Sequence, residues 1–114
     1  MPLIQLYYNE EKIGEKNLTF LVKVVHNIVC TTMNVKKDAG KIFTSKVSAH
    51  DLNVPDITVN VFMHPYEDRI RNREQIVNAV STSIINYTQS YEMQDISHLV
   101  HIVFAEIETA FVKR

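Results

Sequence analysis

The chain begins Met-Pro-Leu-Ile-Gln-Leu-Tyr-Tyr, and Pro2 is the residue whose type and position could do chemistry most directly. Proline lacks a backbone N–H and suits a strand only as its first residue or at an edge. Removal of an initiator methionine ahead of a small residue would leave Pro2 as a free secondary amine heading an apolar strand. Such an amine is a potential base, but only if it is unprotonated near neutral pH. An α-amino group titrates close to that range and a secondary amine higher, so the surroundings must lower its pKa. An apolar pocket does this by penalising the ammonium form. Neighbouring cations push the same way and also hold an anionic substrate. A retained Met1 would make the same nitrogen an amide and end that chemistry.

Other catalytic templates find no support in the residues. Cys30 is the only cysteine, which excludes an intramolecular disulfide and argues against a cysteine zinc site. Its place on the apolar stripe of a helix suits packing better than nucleophilic attack. His26, His50, His64, His98 and His101 show neither HxH nor HExxH spacing, so no metal is expected. The sequence has no glycine-rich phosphate loop, no GxSxG elbow and no dinucleotide fingerprint, so no cofactor is expected either.

The elements that must position Pro2 follow from periodicity. Residues 3–8 read as a strand. From Asn17, a suitable N-cap, Leu18, Leu21, Val22, Val25, Ile28 and Val29 recur at three- and four-residue steps and paint one stripe on a helix, with Gly40 as the expected break. KIFTSKVSAH reads as a second strand. The second half repeats the order: ITVNVFM (57–63) alternates as a strand, Ile76, Val77, Val80, Ile84 and Tyr87 keep helical spacing, and HLVHIVFAEIE is the most strand-like stretch of all. Two βαβ units with right-handed crossovers give an α+β fold, a four-stranded mixed sheet with both helices on one face. The other face carries enough Leu, Val and Phe to favour oligomerisation over exposure to water.

At 114 residues the chain is most economically a single domain, 1–114, large enough for a core without disulfides. The formal net charge of −1 recruits neither nucleic acid nor an anionic membrane. No apolar run has the length of a membrane span and no leader pattern opens the chain, so a cytoplasmic protein is expected.

Three stretches together resemble the tautomerase superfamily. MPLIQLYY resembles its amino-terminal proline strand. ITVNVFMHPYEDRIRNREQIVNAV is similar to the second strand, basic loop and helix of its longer members. HIVFAEIET is similar to the last strand of the 5-carboxymethyl-2-hydroxymuconate isomerases, with Glu106, Ile107 and Glu108 as the shared triplet. Macrophage migration inhibitory factor has a similar length and order. The resemblance implies a homotrimer whose sheets face a central axis, with active sites between subunits. At each site the proline amine would move a proton on a small enol, dienol or α-keto carboxylate.

Carried onto this chain, the resemblance makes Pro2 the catalytic residue and Lys46, Arg69, His101 and Lys36 the substrate-binding candidates. Lys46 falls where the isomerases have an arginine in a Ser-Arg-Val stretch, and Arg69 matches the basic residue of the loop before the second helix. Lys36, with Lys37, lies near the cytokine branch's active-site lysine, and His101 falls opposite a pocket tyrosine of that branch. Arg71 and Arg73 read better as a solvated helix end. Thr44 replaces a second arginine of the isomerase site, which weakens recognition of a dicarboxylate, because lysine offers a point charge rather than a planar fork. The expectation is a cofactor-independent isomerase. The alternatives are a non-catalytic trimeric interaction protein of the same fold and a ferredoxin-like binding module, since fold alone does not assign function. RNA binding is disfavoured by the slight negative charge and the lack of an RNP-type strand.

Overall fold

A computed structural model describes residues 2–90, 95–106 and 110. Met1, and Ile107 and Glu108 of the Glu-Ile-Glu triplet, lie outside the described residues. In chain order the elements are β1 (Pro2–Tyr8), α1 (Glu15–Met33), a 3₁₀ turn (Lys37–Ala39), β2 (Lys41–Lys46), β3 (Ile57–Met63), α2 (Glu67–Arg71), α3 (Arg73–Ser90) and β4 (His98–Phe104).

The strands form one sheet in the order β2-β1-β3-β4. β2 runs parallel to β1, and β4 parallel to β3, whereas β1 and β3 pair antiparallel. Each βαβ unit therefore contributes a parallel pair, and the two units join along their first strands. The period-2 alternation sorts the side chains by face. Pro2, Ile4, Leu6 and Tyr8 of β1 and Ile57, Val59, Val61 and Met63 of β3 are all buried under the helices. Leu21, Val25 and Val29 of α1 and Ile76, Val80 and Ile84 of α3 pack on them to complete the core. This is the mixed α+β sheet expected from the periodicity.

Local chemistry moved several boundaries. α1 starts after Gly14 rather than at Asn17, and it ends at Asn34 rather than at Gly40. Asn34 takes the left-handed conformation (φ 54°) and its N–H reaches the carbonyls of Cys30 and Thr31, a role asparagine accepts at modest steric cost. Gly40 serves a different need: a Cβ there would lie 2.6 Å from Cys30 Sγ. α2 was not foreseen, because the run after His64 lacks an apolar stripe.

The opposite face carries Leu3, Tyr7, Phe43, Phe62, Leu99 and Val103 interspersed with polar side chains. Tyr7, Phe43 and Leu99 are exposed on it. Phe43, Gln5, Asn60 and His101 align across all four strands, and three of these four side chains are polar.

Candidate active site

Pro2 is buried at the start of β1, opposite Met63 at the end of β3. Leu3 pairs with Lys41, which brings the segment before β2, with Gly40 and Lys36, to the same end of the sheet. The chain leaving Met63 adds His64, Tyr66 and Arg69. Arg69 is held on two sides: its Nη1 donates to the His64 carbonyl at 3.2 Å, and its guanidinium lies 4.8 Å from the centre of the Tyr66 ring. The rings of His64 and Tyr66 stand 4.5 Å apart. Pro2, Lys36 and Arg69 thus share one end of the molecule.

Lys46 and His101 lie elsewhere in the subunit. Lys46 pairs with Tyr8, so the whole of β1, roughly 20 Å, separates it from Pro2. It ion-pairs with Glu10 at 3.0 Å, and that hydrogen bond and charge raise the ammonium pKa further. His101 sits mid-strand on the open face, its Nδ1 3.0 Å from Asn60 Oδ1, whereas Pro2 faces the helices. Thr44 is exposed on β2. Arg71, at the end of α2, pairs with Glu67 at 3.1 Å, and Arg73, at the start of α3, donates to the Ile70 carbonyl.

Under the Pro2 end lies a cluster that spacing alone did not reveal. His26 Nε2 is 2.9 Å from the Gly40 carbonyl and therefore donates to it, while Cys30 Sγ lies 3.8 Å from the same nitrogen. Burial raises the Cys30 thiol pKa, opposed by Lys37 and the Gly40 backbone. The thiol is a packing group rather than a nucleophile. The i, i+4 spacing of His26 and Cys30, together with a glycine placed to make room, was the available signal. Among the described residues no group of three His, Cys, Asp or Glu side chains could hold a metal ion. No helix there is long and apolar enough to cross a membrane.

No family model and no curated protein matches the sequence. Solved structures do share its architecture. A malonate semialdehyde decarboxylase, studied as wild type, inactivated enzyme and a variant with alanine for proline at its first position, is 9% identical over 97% of this chain and 91% of its own, with a TM-score of 0.72. A fused 4-OT wild-type symmetric trimer is 14% identical over 92% of this chain and 85% of its own, with a TM-score of 0.64. Pt0534, inactivated by 2-oxo-3-pentynoate, is 12% identical over 91% of this chain and 84% of its own, with a TM-score of 0.60. The fold is tautomerase-like. At these identities the likeness concerns the arrangement of strands and helices alone.

Proposed function

We propose that this protein is a cofactor-independent isomerase of the keto-enol tautomerase type, in which Pro2, freed by removal of Met1, is the general base. One observation carries the reading: a proline heads a central strand, is buried among apolar side chains, and shares its end of the sheet with Lys36 and Arg69. Malonate semialdehyde decarboxylase, of like fold, was itself studied with its first-position proline replaced. Burial lowers the amine pKa by disfavouring the ammonium, and the two cations add to that effect. The amine takes a proton from oxygen or carbon of an enol, dienol or α-keto carboxylate and returns it at another carbon or, from carbon, at the carbonyl oxygen, so the base is regenerated and no cofactor is consumed. Lys36 and Arg69 hold the carboxylate and stabilise the developing oxyanion.

The working assembly in this reading is a homotrimer, formed through the open sheet face that exposes Tyr7, Phe43 and Leu99. His101 and Lys46 reach a Pro2 site only from a neighbouring subunit. The 5-carboxymethyl-2-hydroxymuconate isomerase and macrophage migration inhibitory factor branches remain the proposed kin, and a cytoplasmic location the proposed setting. The second reading, a non-catalytic trimer, is favoured by Thr44 and by the distance of Lys46 from Pro2 within one chain.

Intact mass followed by turnover separates the two. The isomerase reading requires loss of one methionine and activity on phenylpyruvate or 2-hydroxymuconate that collapses in Pro2→Ala. Retained methionine in the cellular protein, or equal turnover in parent and variant, removes it.

A further inference from the structure

Beyond the Pro2 reading, a second site lies in the helix layer. The C-terminal turn of α1, α2 and the first turns of α3 enclose an open cleft of about 380 Å³, in which Pro2 is not a wall. Its floor is Met33, Ile76 and Ala79, and its polar rim includes Asn34, Asp68, Arg69 and Gln75. Asp68 and Arg69 carry opposite charges into this cleft without pairing. Among the described residues the ion pairs are Lys12–Asp56, Lys46–Glu10 and Arg71–Glu67. Arg69 cannot swing freely towards Asp68, because the His64 carbonyl and the Tyr66 ring hold it. The side chains of Asn34, Asp68 and Gln75 make no hydrogen bond to a described residue. The neighbouring charges Glu67, Arg71, Arg73 and Glu74 do not line the cleft; Glu67 pairs with Arg71, and Arg73 donates to the Ile70 carbonyl.

We infer that this cleft binds a free amino acid with an aliphatic side chain. A lone anion would meet Arg69 but be repelled by Asp68, and a lone cation the reverse. A zwitterion satisfies both, its carboxylate on Arg69 and Gln75, its ammonium on Asp68 and the Asn34 amide oxygen, and its side chain on Ile76 and Met33. The held guanidinium reduces the entropy lost on binding. Because Arg69 also belongs to the Pro2 reading, the test rests on Asp68 and Gln75, which that reading does not use.

The experiment is a titration followed by amide ¹⁵N chemical shifts, with three matched probes: L-leucine, 4-methylpentanoate, which lacks the amine, and 3-methylbutylamine, which lacks the carboxylate. Leucine should give saturable shifts confined to residues 32–34 and 68–79, and each analogue should bind about fivefold more weakly, as exposed charge pairs allow. Asp68→Asn should reduce leucine to the affinity of 4-methylpentanoate, and Gln75→Ala should weaken both carboxylates. All these side chains are surface groups, so the remaining resonances report an intact fold. Pro2→Ala should bind leucine unchanged, which keeps this inference separate from the catalytic one. No saturable shift up to the solubility of leucine, equal affinity for 4-methylpentanoate, or unchanged leucine binding in Asp68→Asn overturns it.

Discussion

The two ends of the sheet are built on opposite plans. At the end where β1 and β2 finish and β3 and β4 begin, Asp56 stitches three loops together. Its carboxylate accepts from the Asn9 amide at 3.2 Å, from Lys12 Nζ at 3.3 Å, and from the Ser97 N–H and hydroxyl at 3.1 and 3.2 Å. Its own N–H donates to Ser97 Oγ at 2.9 Å. At the other end, Arg69 lines a cleft in which the side chains of Asn34, Asp68 and Gln75 make no hydrogen bond to a described residue. Charges satisfied by the chain contribute stability, while charges left unsatisfied are available to a ligand. The Asp56 end is built for stability, and the proposed function assigns recognition to the Pro2 end.

The largest effect expected at the Pro2 end is catalytic. Pro2→Ala should lower kcat/KM on phenylpyruvate by about 10²–10⁴-fold with little change in melting temperature, since alanine keeps the strand start. At the Asp56 end the largest effect is on stability: Asp56→Ala strands the donors of half-buried Asn9 and exposed Ser97 and should cost about 1–2 kcal/mol in urea unfolding. If Asp56→Ala instead spares stability and removes activity, the division between the ends is wrong.

Gly40→Ala probes the junction. The added methyl would meet Cys30 Sγ, so the variant should lose about 1–3 kcal/mol, and Cys30→Ala in the same chain should restore part of it. A rescue by Cys30→Ala shows that the cost is the contact and not the backbone conformation.

Acid should weaken the Asp56 end in two stages. Burial depresses the His98 pKa; its Nε2 lies 3.0 Å from the Thr88 hydroxyl, which itself donates to the Ile85 carbonyl. The unfolded chain takes up the His98 proton first, so stability is full above about pH 6.5 and declines as pH falls towards the depressed value. For Asp56, burial raises the pKa, but the Ser97, Lys12 and Asn9 hydrogen bonds outweigh it and the net shift is downward. Its contribution is present above the ordinary carboxylate range and is lost as pH falls through the lowered value. Urea midpoints measured against pH should show the first decline absent in His98→Phe and the second absent in Asp56→Ala.

How much of this was legible depended on whether period or partnership set the feature. β3 coincided with its sequence boundaries because every second side chain is buried. The helix stripes were legible for the same reason. The contact that requires Gly40 and the Asp56 clamp were not, because each joins residues brought together only by the tertiary fold; the cap at Asn34 is local, but no glycine marks it. Asp56 lies 47 positions from Asn9 and 41 from Ser97. The proposed role of Pro2 was read from a proline heading an apolar strand, and the structure places Arg69 on the segment that leaves the paired end of β3. Lys46 and His101 came from resemblance, and one subunit does not bring them to Pro2.

Lys46 therefore gives the smallest expected effect and the sharpest test of assembly. Its ammonium is exposed and paired with Glu10, which is also exposed, so Lys46→Gln should leave the melting temperature within error. Within one subunit it should leave turnover unchanged as well, because the length of β1 lies between it and Pro2. A trimer changes that expectation only if a neighbour's Lys46 swings away from Glu10 to face Pro2. Then Lys46→Gln should raise KM for a carboxylate substrate, and Glu10→Gln, which frees the lysine, should lower it. Opposite shifts from the two substitutions would place the second end of one subunit in the site of the next, and the division between ends would hold for the chain but not for the assembly. Unchanged KM in both would confine recognition to the residues around Pro2.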